Sequence, residues 1–129
     1  MNYCFQKTLF DASFNEAIEK VTEELKKEGF GILTEVDVQA TLRKKLDVDF
    51  RKYRILGACN PPFAFKALQA EINIGTMLPC NVVVMENDDG KINVSAVDPI
   101  ASMMAVGNRN LEGVAIQIQQ KLKKVIDNL

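Results

Sequence analysis

The run SFNEAIEKVTEELKKEGF, from Ser13 to Phe30, constrains the fold more than any other stretch of the chain. Ser13 followed three residues later by Glu16 is the S-x-x-E pattern in which two side chains satisfy free backbone amides at a helix start. Phe14, Ala17, Ile18, Val21 and Leu25 recur at helical spacing on one face, glutamates and lysines fill the other, and Gly29 supplies the left-handed residue that stops the helix. A helix with one apolar face must bury it against another layer, so the flanking segments decide what that layer is.

Those segments read mostly as strands. Residues Asn2 to Leu9 form a first strand, and GILTEVDV a second, with Ile32, Thr34, Val36 and Val38 on one side and Leu33, Glu35 and Asp37 on the other. In QATLRKKLDVDF the spacing of Leu42 and Leu46 predicts a short helix. Tyr53 to Cys59 alternates Tyr53, Ile55, Gly57 and Cys59 against Arg54, Leu56 and Ala58, and its small residues leave room for something packed closely above the sheet. Asn60 stands where an N-cap belongs and Pro61 at the first helical position, which predicts a helix to about Ala70.

INIGTMLP reads as a loop, and CNVVVME and KINVSAV flank NDDG as an antiparallel hairpin. Asp98 and Pro99 repeat the cap-and-proline device for a short helix through Met104, Gly107 to Asn110 interrupts it, and Asn110 is expected to cap the last helix. There Leu111, Val114, Ile118, Leu122 and Val125 form the apolar stripe. The predicted fold is α+β, a single mainly antiparallel sheet backed by helices in the order β-α-β-(α)-β-α-β-β-α.

With 129 residues and 47% hydrophobic content, residues 1–129 suit one domain with a core large enough to need no metal or disulfide. Sixteen basic and 17 acidic residues leave a net charge of -1, so no basic field draws nucleic acid or an anionic membrane, and the expected partners are small molecules or proteins. The opening MNYCFQKTLF lacks the pattern of a signal peptide and no stretch is apolar for long enough to span a bilayer, which predicts a cytoplasmic protein. With no histidine, serine–histidine and cysteine–histidine catalysis and histidine-containing metal sites are excluded; with no tryptophan, a stacking platform for single-stranded nucleic acid is disfavoured.

Cys4, Cys59 and Cys80 are an odd number without C-x-x-C spacing, so reduced thiols are expected. Cys59 precedes a helix start, where a thiolate facing the helix amides is favoured. If antiparallel neighbours bring Cys59 and Cys80 together, the pair is able to cycle through a disulfide or hold Cu(I) or Zn(II), with Met77 or Met103 as thioether ligands. Free cysteine and methionine are nonetheless most often core filler. Glu35 and Asp37 lie on one strand face, suited either to a cation or to pairing with Arg54 across the sheet. The basic run Arg43, Lys44, Lys45 with Arg51 and Lys52 reads as solvated charge.

GFGILTEVDVQATLRKKL, YRILGACNPPFAFKALQAE, LPCNVVV and VDP, in that order, resemble the domain-of-unknown-function 302 family over nearly the whole chain. The positions that carry the resemblance are Glu35, Asp37, Arg54, Cys59, Asn60, Pro61, Glu71, Cys80 and Asn81. The resemblance implies a single helix-backed sheet of TATA-binding-protein-like arrangement and a homodimer, and no established activity.

On the residues themselves, the leading expectation is a small-ligand pocket near Cys59, Asn60 and Pro61. Helix amides beginning at Pro62 would attract an anionic group, Asn60 would orient it, Arg54 would add charge and Gly57 would allow close approach, with Cys80 and Asn81 on the neighbouring strand. The alternatives are a thiol-redox or soft-metal protein using Cys59 and Cys80, with Glu35 and Asp37 as further metal candidates, and a protein-interaction module. No cofactor is assigned.

Overall fold

The computed structural model describes residues 2–129. Strands β1 (Cys4–Leu9), β2 (Gly31–Asp37), β3 (Tyr53–Cys59), β4 (Cys80–Glu86) and β5 (Ile92–Val97) form one sheet in the order β1-β5-β4-β3-β2, with every neighbouring pair antiparallel. The helices are α1 (Phe14–Lys27), α2 (Val38–Leu46), α3 (Pro61–Ala70), α4 (Pro99–Met103) and α5 (Glu112–Asp127). The α+β reading therefore holds, with one antiparallel sheet and its helices.

Helix α1 begins as the S-x-x-E pattern requires. The Glu16 amide donates to Ser13 Oγ at 3.2 Å and the Ser13 amide to Glu16 Oε1 at 3.1 Å. The Ser13 hydroxyl and amide together hold the Glu16 carboxyl below its ordinary pKa. Gly29 follows the helix at φ +85°, a conformation that costs glycine least.

Strand register sorts the sheet into two faces. Phe5, Ala96, Val82 and Leu56 are opposite one another on four successive strands, and this face carries the core beneath α1 and α5. Leu25, Leu56, Val82, Val84, Val94, Leu122 and Val125 are fully buried there, each such side chain stabilising the fold by about 1.5–3 kcal/mol relative to exposure. Lys7 shares that face at the edge of the sheet. Its Nζ donates to the Asp127 carbonyl at 3.1 Å and the Leu129 oxygen at 2.7 Å, placing positive charge where the α5 dipole favours it.

The other face has no helix over it. β1 presents Cys4, Gln6 and Thr8 on this side, β5 presents Asn93, Ser95 and Val97, β4 presents Asn81, Val83 and Met85, β3 presents Tyr53, Ile55 and Gly57, and β2 presents Thr34 and Val36. The β1–β5 half is polar, with Thr8, Asn93 and Ser95 linked by hydrogen bonds of 3.4 and 3.1 Å. The β3–β4 half is largely apolar.

Four local expectations change. A bulge at Leu33 shifts the β2 register between Ile32 and Thr34, so Ile32 packs toward the core while Thr34 and Val36 face the open side. INIGTM is a 3₁₀ helix (Ile72–Met77), not a loop, anchored by the buried side chain of Ile74 against Ala67 and Met103. The predicted helix through Met104 ends at Met103 and continues as a 3₁₀ turn over Met104–Val106. Asn110 does not cap α5; Asn108 takes the capping role one turn earlier, accepting from the Asn110 amide at 2.9 Å.

Candidate functional site

Strand β3 ends at Cys59, the chain turns at Asn60, and α3 starts at Pro61. Asn60 occupies the N-cap position with an extended backbone, yet its side chain makes no cap bond. Its amide instead donates 3.0 Å to the Glu28 carbonyl, the residue that ends α1. Asn60 thereby satisfies one of the carbonyls left free at the end of α1 and ties the ends of two helices together.

The anion-binding expectation at this helix start fails on donor count. Pro61 and Pro62 both lack an amide hydrogen. The Ala64 amide is used internally, 2.9 Å from the Asn60 carbonyl. The Phe63 amide is then the single free donor of the first turn, where an anion nest needs several convergent ones. Both prolines are exposed, and neither lines the adjoining depression.

That depression is a half-open cleft of about 330 Å³ between the β3 and β4 ends, α3 and α5. Its walls include Phe30, Cys59, Asn60, Phe63, Leu78, Cys80, Met103 and Ile118, and are predominantly apolar. The structure thus brings Cys59, Asn60, Cys80 and Met103 together. Two lysines stand over the Phe63 ring, Lys66 Nζ at 5.4 Å and Lys121 Nζ at 5.9 Å from its centre, and bring positive charge to a residue of the cleft wall, although neither lysine lines the cleft itself.

Cys59 and Cys80 share the cleft without a disulfide between them. β4 pairs Cys80 with Ala58, one residue short of Cys59, and both thiols are free. Burial, helped by the nearby Cys59, pushes the Cys80 thiol from its ordinary 9.0 up to about 11. A resolving thiol or soft-metal ligand works as thiolate, the form this environment opposes. Met77 does not line the cleft. Among the described residues, no group of three or more His, Cys, Asp or Glu side chains is placed to hold a metal ion.

The same burial predicts a pH dependence. Below pH 9.0 the Cys80 thiol is protonated whether the chain is folded or not. Above it the unfolded thiol ionises first, so stability falls until the native thiol also ionises near pH 11. The gap corresponds to a loss of about 2–3 kcal/mol at full extent. Urea titrations at pH 8.5 and 10.5 should give a smaller stability drop for Cys80→Ala than for the unaltered chain; equal drops would show that Cys80 is not the responsible group.

Arg54 belongs to another arrangement. It lies on the helix-covered face beside β2, where Nη1 is 2.7 Å from Glu35 Oε1 and Nη2 is 3.3 Å from Asp37 Oδ2, and its guanidinium covers the Phe14 ring at 5.7 Å. This is the cross-strand pairing predicted for the two carboxylates; with a guanidinium between them, they are not free to coordinate a cation. Asp37 also caps α2, accepting from the Ala40 amide at 2.9 Å, a role its position just before VQATLRKKL makes visible.

Gly57 and Asn81 are opposite each other on the uncovered sheet face, outside the cleft. The close approach at Gly57 is made by the protein itself. A Cβ there would stand 2.6 Å from Pro79 Cγ and inside the radius of Thr34 Oγ1. Phe63 and Ile118, which line the cleft, and Lys66 and Lys121, which stand over the Phe63 ring, have no part in the site that the sequence predicts. Phe63 and Lys66 lie three apart on α3, and Ile118 and Lys121 three apart on α5, a spacing that puts each pair on one helix face.

No curated protein matches the chain. The crystal structure of an uncharacterized conserved protein DUF302 from Bacillus stearothermophilus superimposes with a TM-score of 0.90 at 29% sequence identity, covering 98% of this chain and 98% of that one. The model of the family described as "Domain of unknown function DUF302" matches residues 5–129, and the chain therefore belongs to that family.

Proposed function

We propose that the protein binds a small, mostly apolar molecule carrying one negative group, held in the cleft at the start of α3. The observation that carries this reading is the cleft itself: about 330 Å³ of predominantly apolar walls, within the range of about 300–1,000 Å³ for small-molecule sites, beside two lysines at Phe63. An apolar body would shed its hydration against Phe30, Leu78 and Ile118. The negative group, at the rim beside Phe63, would meet Lys66 and Lys121, whose side chains reach that ring from two different helices. This differs from the anion site expected at the helix amides, because the charge comes from side chains.

Among the described residues, no helix is long and apolar enough to cross a membrane. The thiol-redox reading is not favoured, because burial disfavours the Cys80 thiolate.

The test is an amide NMR titration with octanoate and with 1-octanol, on the unaltered chain and on Ala64→Trp, whose indole would fill the cleft. Both probes should shift amides around Phe63 and Cys80, octanoate at the lower concentration, and the variant should bind at least tenfold more weakly while keeping its circular dichroism. Leu68→Trp serves if Ala64→Trp does not fold. Absence of shifts at millimolar probe, or undiminished binding in a folded tryptophan variant, would overturn the reading.

A further inference from the structure

The uncovered sheet face carries a depression of about 490 Å³, larger than the cleft at α3 and sharing no lining residue with it. Strand register lays its floor across β1, β5 and β4: Gln6 is opposite Ser95, Ser95 opposite Val83, and Asn93 opposite Met85. Tyr3, largely exposed, stands at one end beside Cys4, and Tyr53 at the other, opposite Met85. A quarter of the chain is charged (26%), yet none of the residues lining this depression is.

The floor mixes side chains that form hydrogen bonds with side chains that do not. Asn93 accepts from the Thr8 hydroxyl at 3.4 Å and its amide donates to Ser95 Oγ at 3.1 Å. Those bonds fix the direction of both groups and leave the Ser95 hydroxyl hydrogen and the second Asn93 amide hydrogen to donate elsewhere. The Gln6 amide lies 3.5 Å from Cys4 Sγ, which leaves the Gln6 carbonyl oxygen as an acceptor. Asn81, exposed at the same side, offers both a donor and an acceptor. Val83, Met85 and Val97 lie between these groups and offer neither.

Such a surface discriminates by exclusion. An ion brought here would lose hydration without meeting an opposite charge. A wholly apolar molecule would cover the amides and the hydroxyl and leave them unpaired, at a cost for each. A neutral molecule that donates and accepts around its rim and is apolar on its flat side meets both kinds of floor. A sugar ring has that form, with hydroxyls at its edge and C–H groups on its faces.

We propose that the uncovered sheet face binds a short neutral saccharide, its C–H faces against Val83, Met85 and the tyrosine rings and its hydroxyls on Asn81, Asn93, Ser95 and Gln6. Tyrosine supplies a broad, stiff contact surface with a polar tip, and so loses little freedom on binding. The run from Tyr3 to Thr8 along β1, with three strand spacings across to Tyr53, puts the two tyrosines roughly 20 Å apart by backbone, a span for two or three linked rings rather than one.

Amide NMR titrations with maltotriose, cellotriose and lactose, each to about 20 mM, test this. At least one sugar should shift the signals of Asn81, Asn93 and Ser95 and leave those around Phe63 in place. Asn81→Ala and Tyr53→Ala should each weaken that sugar by about fivefold or more, the order of one lost hydrogen bond or ring contact, with unchanged circular dichroism and an unchanged response to octanoate. Tyr3→Ala, at a largely exposed position, serves if Tyr53→Ala does not fold. Trigalacturonate, a charged chain of similar length, should bind more weakly than the neutral sugar. Silence from all three sugars, which a second chain lying over the face would also produce, overturns the proposal. So does undiminished binding in the folded variants, or tighter binding of trigalacturonate.

Discussion

Gly57→Ala should destabilise the protein by about 2–3 kcal/mol, the range for forcing an extra carbon into a packed site. The added methyl group would collide with Pro79 Cγ at 2.6 Å and overlap Thr34 Oγ1. Thr34 can turn its side chain away, but Pro79 is held by its ring and by β4, which begins at the next residue. The clash is therefore relieved mainly by moving backbone. Thr34→Ala in the same chain should return part of the loss, with a coupling of about 1 kcal/mol between the two positions, as expected for residues in direct contact. Urea denaturation of the two single variants and the double variant measures all three quantities. A neutral Gly57→Ala, or strict additivity, would mean that Pro79 and Thr34 do not close over the glycine. Because Pro79 also lines the cleft, the same substitution should shift amide signals around Cys80.

The second large effect is at the far side of the core. Leu122→Ala should cost about 2–5 kcal/mol, the range for truncating a fully buried leucine, and lower the melting temperature by about 10 °C for a chain of this length. Leu122 is completely buried in the cluster where α5 and α1 meet the sheet, so the space left has no side chain free to fill it. Ile116, six residues earlier on α5, is 45% exposed and makes the control. Ile116→Ala should change stability by no more than about 0.5 kcal/mol. Calorimetry of the two variants decides the matter, and similar losses in both would contradict this assignment of the buried face of α5.

Elements whose signals are local were legible in the sequence. Ser13, Glu16 and Gly29 fix both ends of α1 through contacts within a few residues, and the alternation from Tyr53 to Cys59 gives β3 and its faces without knowledge of its neighbours. Pro61 likewise marks the first residue of α3. What depends on a partner distant in sequence was not legible. Asn60 has a capping residue's position and type, but the Glu28 carbonyl, 32 residues away, takes its amide. The bulge at Leu33 breaks an alternation that reads cleanly from Gly31 to Val38, because register is settled by β3. Ile72–Met77 has too few apolar residues to show a period, and only the buried site for Ile74 explains its coiling.

The candidate site divides in the same way. Cys59 and Cys80 were placed together by reasoning about strand ends, and they do share the cleft. Arg54 and Gly57 were assigned to it by proximity in sequence, although the pleat turns Arg54 toward Glu35, and Gly57 toward Thr34 and Pro79. The lysines at Phe63 come from two helices more than fifty residues apart, and no spacing within either helix announces that they meet.

Strand order also dictates a sequence of assembly. The pairs β2–β3, β3–β4 and β4–β5 each join consecutive strands, so this part of the sheet grows as the chain lengthens. β1 is different: its one neighbour is β5, and Cys4 is opposite Val97. On a ribosome adding about 5–20 residues each second, the first strand waits roughly 5–20 s for the residues that receive it. Lys7 waits longer, since its acceptors are the carbonyls at the end of α5. β1 is thus made before the other strands of this sheet and paired after them, and during that interval β1 and the free edge of β4 are open to strands from other nascent chains.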